Sequence, residues 1–281
     1  MTQHSFRNDA AKLAVYLDGP DWDGTPTATI GGFSCKTLQA GADVLDQAIA
    51  FVKENGLHRI LGPMDGDTWH SYRAVTQTDD SPAFLMEPTA QPHVIDVLEG
   101  AGFELISRYF SARVSLAEAV LTPPPPTSDF MVKPWDGQNP EGLFDQVFAL
   151  STEAFAKNPF YKPISRDAFL AMYMPMVPML KKELIFFARR PDQSLAGFLF
   201  GTPNYAEGPT PTSAIVKTYA SQSKGAGHHL LYTFHKVARD LGYASAIHAL
   251  MHDNNLSADR SAAEGGKTFR RYGLFGLKLD D

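Results

Sequence analysis

The chain has 281 residues, of which 44% are hydrophobic and 20% are charged, and its formal net charge is −6 at pH 7. This length suits two globular domains, each with a hydrophobic core of its own. The acidic balance argues against non-specific nucleic-acid binding, which needs basic surface to neutralise phosphates. A single cysteine, Cys35, excludes an intrachain disulfide and fits a reducing compartment.

Signals for a membrane, for export and for a metal are missing from the sequence. The N-terminal residues lack the apolar core of a signal peptide, and no apolar run approaches the roughly 20 residues that span a bilayer. No Cys/His set has zinc-finger spacing, and His248 and His252 would lie far apart on a strand. We therefore expect a cytoplasmic protein with no nucleic acid, membrane or metal partner.

The first half of the chain predicts strands alternating with helices. Apolar residues at positions 44, 45, 48 and 52 recur at helical spacing, and Asn55-Gly56 supplies a helix stop. A short apolar strand, Ile60-Leu61, follows. The glycine-containing turn at 100–103 then leads into another strand that carries Arg108.

A run of four prolines at 123–126 lies near the middle of the chain. Consecutive prolines cannot join a helix, and they favour an extended, semi-rigid connector. We expect a first domain over 1–122, a linker over 123–127 and a second domain over 128–281. The alternative is a proline-rich surface loop in a single domain.

The second half repeats the order of elements in the first. A hairpin is predicted from 184–188 and 196–200, followed by strands at 214–220 and 246–251. The helix between the last two strands has an apolar face made by Leu230, Leu231, Phe234, Val237, Ala238 and Leu241. Each half reads strand, strand, helix, strand, helix, strand, which indicates duplication of one α/β unit.

The stretch 221–227, which joins a predicted strand to a predicted helix, is the most informative one. Gly225 and Gly227 lie where the chain turns into the helix, and Lys224 adds a cation. Glycines let the backbone approach a ligand closely, and the N–H groups at a helix N-terminus favour an anion. The stretch therefore predicts a pyrophosphate site.

The pattern Gln222-x-x-Gly225-x-Gly227 resembles the Q/R-x-x-G-x-G/A signature of the GNAT superfamily of acyl-CoA N-acyltransferases. The order of elements over 128–281 is similar to that of a whole GNAT domain. The resemblance implies an α/β fold with a mixed sheet, two tandem GNAT-like domains, and acetyl-CoA as co-substrate. It implies that the cofactor is held by Lys217, Thr218, Gln222, Lys224, Gly225, Ala226, Gly227, His228 and Asn255. The alternative is a glycine-capped turn in an unrelated α/β fold.

The first half lacks an equivalent loop. Its comparable segment, 35–43, keeps only Gly41, and Asp43 would place a carboxylate where a phosphate should lie. We therefore expect a degenerate GNAT-like domain that does not bind CoA. Within it, 62–73 resembles a segment of bacterial GNAT-like proteins with duplicated domains. This segment offers Asp65, Asp67, Trp69, Tyr72 and Arg73 as acceptor contacts; a structured turn with a buried Trp is the alternative.

The catalytic residues are harder to place. In GNAT proteins the usual general acid is the Tyr of N-x-x-A-x-x-x-Y; here Asn255 and Ala258 fit this pattern, but Ala262 replaces the Tyr. Tyr272 is one candidate acid and Tyr219 another, although aromatic residues in strands are usually core. His252 is a candidate base because an imidazole titrates near neutral pH, and a solvated histidine is the alternative.

A segment rich in aromatic residues and methionine is expected to cover the acceptor. It comprises 155–163 with Phe169, Met172, Tyr173, Met174, Met176 and Met179, and core packing between helices is the alternative. The predicted reaction is transfer of an acetyl group from acetyl-CoA to a small-molecule or peptide amine, by direct attack. The rival hypotheses are an inactive acyl-CoA-binding sensor and a transferase with another donor, such as aminoacyl-tRNA.

Overall fold

The structure is a computed structural model of the chain, and it describes residues 2–119 and 121–279. These residues form two compact units. The first comprises the described residues up to Tyr109, the short segment Asn158–Lys162 and the chain from Arg270 onward. The second comprises Phe110–Lys157 and Pro163–Phe269. The domain bounds 1–122 and 128–281 stay a prediction, and residues 1, 120, 280 and 281 of those ranges lie outside the described part.

The described residues contain twelve strands and six α-helices. The strands are β1 Gln3–Arg7, β2 Ala11–Tyr16, β3 Ala28–Cys35, β4 Arg59–Gly62, β5 Ala74–Thr78, β6 Glu104–Ser115, β7 Met131–Pro134, β8 Ile185–Arg189, β9 Leu195–Pro203, β10 Ser213–Ser221, β11 Ser245–His252 and β12 Lys267–Lys278. The helices are α1 Leu38–Glu54, α2 Val94–Gly100, α3 Pro140–Phe155, α4 Arg166–Tyr173, α5 Ala226–Asp240 and α6 Leu256–Ala263. The predicted mixed α/β class is confirmed.

The first unit is a mixed sheet with strand order β1-β2-β3-β4-β12, and β5 also pairs with β12. Neighbours are antiparallel except for β3 and β4, which run parallel. Helix α1 packs against this sheet through Val44, Leu45, Ala48 and Val52, which are fully buried. These are the positions at which helical spacing predicted an apolar face.

The second unit has the strand order β11-β10-β9-β8-β7. The predicted hairpin is present as β8 and β9, and β10 and β11 form the parallel pair. Helix α5 packs Leu230, Leu231, Phe234 and Ala238 into the core, whereas Leu241, just after the helix, is exposed.

Within residues 2–119 and 121–279, no α-helix is both long enough and apolar enough to cross a bilayer.

Candidate functional site

The parallel strands β10 and β11 stay paired over only part of their length. Their ladder runs from Ser213 opposite Ser245 to Val216 opposite His248. Strand β10 then continues to Ser221 and β11 to His252 without further pairing between them. Beyond Val216 the edge of β10 that faces β11 therefore has no strand partner among the described residues, and an extended ligand can use it.

A bulge in β10 lies at the same point. The register with β9 shifts between Val216 and Thr218, so Lys217 is the extra residue. Bulges re-aim the backbone and side chains and often lie next to functional sites. Lys217 and Thr218, the two residues predicted to contact a pantetheine arm, thus lie where β10 loses β11 as its neighbour.

The loop after β10 ends in an uncapped helix N-terminus. Gly225 is the N-cap of α5, with φ of 84° and no side chain to accept a hydrogen bond. Glycine is the residue that adopts this left-handed backbone without steric cost. No acceptor in the part of the chain that the structure describes takes the backbone N–H of Lys224, Gly225 or Gly227. Three donors at the positive end of α5 are therefore available to an anion.

Arg260 lies directly against this loop, and the sequence analysis missed it. A Cβ on Gly227 would overlap the Arg260 guanidinium, so the second glycine of the motif makes room for that group. Arg260 is half-buried in α6 and comes five residues after Asn255. A cation in the helix that follows Asn255 was the only signal in the sequence, because 32 residues separate Gly227 from Arg260 along the chain.

Arg190 is a second arginine that contacts the loop. Its guanidinium donates to the Ser223 hydroxyl at 3.0 Å and to the Leu195 carbonyl at 2.6 Å. The Lys224 side chain is exposed. Together with Arg260, these residues surround the N-terminus of α5 with three cations, which suits a multiply charged phosphate group.

The remaining predicted cofactor residues also lie in the second unit. Gln222 is exposed on the loop, and Ala226 is buried as the first residue of α5. The His228 imidazole Nε2 lies 3.9 Å from the Glu264 carboxylate. Asn255 is the N-cap of α6, where its side-chain oxygen accepts from the Ser257 N–H at 3.4 Å. The structure thus brings the loop residues together, and it gives Asn255 a capping role.

The two residues predicted as catalytic belong to different units. Tyr272 is in the first unit and is 1% exposed. Its hydroxyl donates a hydrogen bond to the Glu87 carboxylate, which also accepts one from Arg270 at 2.5 Å. His252 ends β11, and its Nδ1 accepts from the Asn254 N–H at 3.1 Å. A neutral imidazole that accepts at Nδ1 carries its hydrogen on Nε2, so its lone pair is already engaged. Each side chain thus has a neighbouring partner, and the roles of Tyr272 as the acid and His252 as the base stay predictions.

Tyr219, the other candidate acid, belongs to the second unit, as the loop does. It lies on β10 between the bulge and the loop, beside the Arg260 and Ser257 side chains of α6. Burial raises the pKa of its hydroxyl above the ordinary value of 10, and the positive charge of Arg260 partly opposes this shift. Tyr219 therefore holds its proton at neutral pH and has a cation beside it to stabilise the phenolate.

A buried histidine pair lies behind the loop, and sequence spacing did not reveal it. His235 of α5 and His248 of β11 stack with ring centroids 5.0 Å apart, and their Nε2 atoms are 2.8 Å apart. His248 Nδ1 is 2.8 Å from the Ser261 hydroxyl, and His235 Nδ1 is 3.6 Å from the Glu264 carboxylate. Burial, followed by the charge on His235, holds the pKa of His248 well below its usual range. The pair joins α5, β11 and α6.

The corresponding helix start in the first unit differs from the expectation. Asp43 was expected at the helix N-terminus, but α1 begins at Leu38, and Asp43 lies in its second turn, where it accepts from Gln39. The physical reason is Thr37, whose hydroxyl caps the Ala40 N–H at 3.2 Å and starts the helix earlier. Gly41 is buried inside α1 against Cys35.

The segment 62–73 divides into a structural part and a part that faces a cavity. Asp67 is 1% exposed and accepts from the backbone of Trp69 and His70, while the Trp69 indole donates to the Lys162 carbonyl at 2.9 Å. Asp65, Tyr72 and Arg73 instead line a cavity of about 410 Å³ within the first unit.

The segment expected to cover an acceptor is partly core. Phe169 is 2% exposed and packs on Phe144, Phe148 and Tyr173 in the second unit. Asn158–Lys162, from the middle of the same segment, belongs to the first unit. Packing between helices thus accounts for Phe169.

Comparisons with known proteins identify the fold. No family model and no curated protein matches the sequence. A GCN5-related N-acetyltransferase from Sphaerobacter thermophilus is 12% identical with a TM-score of 0.58, and the match covers 97% of this chain and 78% of that one. A tandem GNAT protein from the clavulanic acid biosynthesis pathway is 14% identical with a TM-score of 0.57, covering 97% and 80%.

A third solved structure agrees with these two. The GCN5-related N-acetyltransferase from Anabaena variabilis ATCC 29413 is 10% identical with a TM-score of 0.56, and the match covers 96% of this chain and 60% of that one. At such low identity the likeness shows the fold and nothing finer. The chain has the mixed α/β fold of the GCN5-related N-acetyltransferases over nearly its whole length.

Proposed function

We propose that this protein is an acyltransferase that binds acetyl-CoA at the loop 222–228 and transfers the acetyl group to an amine. The observation that carries the proposal is the N-terminus of α5, where the backbone N–H groups of Lys224, Gly225 and Gly227 have no acceptor among residues 2–119 and 121–279. Arg260 and Arg190 add charge at the same place. A pyrophosphate satisfies these donors better than any uncharged group.

The strand before the loop supports the same assignment. With a pyrophosphate on α5, the pantetheine arm would run back along β10 toward Val216, over the stretch where β11 no longer pairs with β10. Amide groups of the arm would then bond to the open edge of the strand, including the bulge at Lys217 and Thr218.

The chemistry needs few groups from the protein. The amine nitrogen attacks the thioester carbonyl carbon, the N–C bond forms, the C–S bond breaks, and CoA leaves as a thiolate. We assign the proton that the thiolate takes up to the Tyr219 hydroxyl, because Tyr219 is protonated at neutral pH and lies beside Arg260. The proton lost by the amine goes to solvent, since the His252 lone pair already accepts from Asn254. Positioning of the two substrates supplies much of the rate.

The experiment is steady-state release of CoA from acetyl-CoA in the presence of small-molecule and peptide amines. We expect turnover with at least one amine. In the Tyr219→Phe variant, kcat should fall by roughly 100-fold, and KM for acetyl-CoA should stay nearly unchanged. Tyr205→Phe is the matched control, because Tyr205 is an exposed tyrosine of the same unit. Tight acetyl-CoA binding without turnover on any amine would contradict the transferase, and an unchanged kcat in Tyr219→Phe would remove the assigned acid.

A further inference from the structure

The cavity of the first unit lies where its own parallel strand pair separates. Strands β3 and β4 pair through Ala28 opposite Ile60 and Thr29 opposite Leu61. Strand β3 then continues to Cys35, with an irregularity opposite Lys12, while the chain leaves β4 at Pro63. Both sides of this gap, together with α2, line the cavity of about 410 Å³. This volume lies at the lower end of the range for small-molecule sites.

Two consecutive glycines shape one wall of the cavity around a carboxylate. A Cβ on Gly31 would overlap the Asp65 carboxylate, so the absence of a side chain there lets Asp65 lie against β3. The backbone N–H of Gly32, a residue with φ of 56°, lies close enough to the same carboxylate to lower the pKa of Asp65. The backbone thus fixes the position of Asp65, as in a preorganised binding group.

Asp65 is half-buried and lines the cavity, yet it forms no ion pair with any residue in 2–119 or 121–279. The neighbouring His70 imidazole is bonded through Nδ1 to Asp67 at 2.7 Å. Burial raises the pKa of Asp65. A half-buried carboxylate in this position is stabilised by a cation that enters the cavity.

We propose that this cavity binds a small molecule through a primary ammonium group that pairs with Asp65. Ser71 also lines the cavity, and a serine hydroxyl suits a remaining ammonium hydrogen. The apolar wall made by Phe33, Met64 and Val94 suits a short hydrocarbon chain. No acyl-CoA is needed for this binding, so the inference is independent of the function proposed for the loop 222–228.

The other charged groups of the wall favour a second, anionic group on the same molecule. Lys12 lines the cavity from an exposed position on β2. The Arg73 guanidinium lies over the rings of Tyr72 and Tyr109, 3.8 Å and 4.1 Å from their centroids, and is 8% exposed. A carboxylate would interact favourably with these two cations, so amino acids belong to the expected class of ligand.

The experiment follows the Gly32 amide of the full chain by NMR during titration with three probes of matched length. These are n-butylamine, L-norvaline and pentanoate, at constant ionic strength near pH 7. Because the Gly32 N–H lies near the Asp65 carboxylate and Gly32 lines the cavity, its amide resonance reports on ligand binding there. We expect saturable shifts with n-butylamine and L-norvaline, and none with pentanoate. In Asp65→Asn, affinity for both amines should fall by at least roughly tenfold.

Asp96→Asn is the matched control, because it removes an exposed carboxylate from α2 in the same unit. This variant should bind the amines like the wild type. A saturable shift with pentanoate but not with n-butylamine would overturn the proposal, and so would the lack of any shift with all three probes. Undiminished amine binding by Asp65→Asn would overturn it as well. Even if Asp65→Asn does not fold, the comparison of the three probes on the wild-type chain tests the proposal, because only the two amines should bind.

Discussion

The two units contain the same local arrangement with opposite chemistry at the helix N-terminus. In each, a strand paired in parallel with the next strand leads into a helix: β3 into α1, and β10 into α5. At α1 the Thr37 hydroxyl accepts from the Ala40 N–H. At α5 the N-cap is Gly225, with a left-handed backbone and no side-chain acceptor. One helix satisfies a donor internally, whereas the other leaves its donors for a ligand.

Under the proposed function, the cap, more than nearby charge, decides which helix end binds a phosphate. Lys36 is exposed next to Thr37, so the α1 terminus also has a cation. What α1 lacks is a pair of glycines that frees the backbone, and a guanidinium placed as Arg260 is against Gly227. Side-chain capping and anion binding compete for the same N–H groups.

The largest effect is expected from putting an acceptor and a negative charge on the open helix end. Gly225→Asp should weaken acetyl-CoA binding by roughly 100-fold, about 2.7 kcal/mol, because the carboxylate repels the pyrophosphate and accepts its donors. Gly225→Asn is the matched control, since Asn tolerates the left-handed backbone and carries no charge. Isothermal titration should give the highest acetyl-CoA affinity for the wild type, a lower affinity for Gly225→Asn and the lowest for Gly225→Asp. Equal affinity of all three proteins would contradict the assignment of the cofactor to this helix end.

A smaller loss is expected from removing the guanidinium that lies on Gly227. Arg260→Gln should weaken acetyl-CoA binding by about 30-fold, or about 2 kcal/mol, because a charge-assisted hydrogen bond to phosphate is lost. Arg239→Gln removes an exposed cation from the last turn of α5 and should leave the affinity unchanged. Equal losses in both variants would mean that Arg260 acts only through net charge.

Local patterns in the sequence predicted several of the elements around the loop. The apolar face of α5, the β8–β9 hairpin and the Gln222–Gly227 loop could be predicted because their signals lie within a few residues of one another. The start of α1 was misjudged because Thr37 and Asp43 are both acceptable near a helix start, and only backbone geometry separates them.

The contacts that the sequence analysis missed are those between distant residues. His235 and His248 lie on different elements, and neither has spacing that predicts a pair. Gly227 and Arg260 meet only because α5 and α6 pack in the second unit. The hydrogen bond of Tyr272 could not be predicted for the same reason, because its partner Glu87 lies 185 residues away in the sequence.

Acid should weaken the second unit through the buried face of α5. The buried residues of α1 are all apolar or glycine, whereas those of α5 include His235, which bonds to His248. The pKa of His248 is lowered in the folded state, so below about pH 6.5 the unfolded chain takes up a proton that the folded chain does not. The free energy of unfolding should therefore fall as pH falls, by at most about 1.4 kcal/mol per pH unit from this group.

Urea unfolding between about pH 7.5 and about pH 5.5 measures this slope. His248→Gln should flatten it, even though the variant is less stable at the upper pH. His58→Gln, which removes an exposed histidine of the first unit, is the control and should keep the wild-type slope. A slope in His248→Gln equal to that of the wild type would show that His248 does not titrate on unfolding.

The smallest effect is expected at the capped helix. Thr37→Ala should lower the free energy of unfolding by about 1 kcal/mol, because the Ala40 N–H loses its acceptor, and Thr37→Ser should restore most of it. Chemical denaturation measures the loss. Neither variant should change the affinity for acetyl-CoA, and a change in affinity would show that the α1 terminus takes part in cofactor binding.

The central claim is that only the helix end without a cap binds the cofactor, and the stoichiometry of acetyl-CoA binding tests it most directly. Isothermal titration of the full chain should give one acetyl-CoA per chain, and that site should be lost in Gly225→Asp. Two sites per chain, or one site that persists in Gly225→Asp, would contradict the assignment to the N-terminus of α5. No binding at all would contradict the acyltransferase proposal itself.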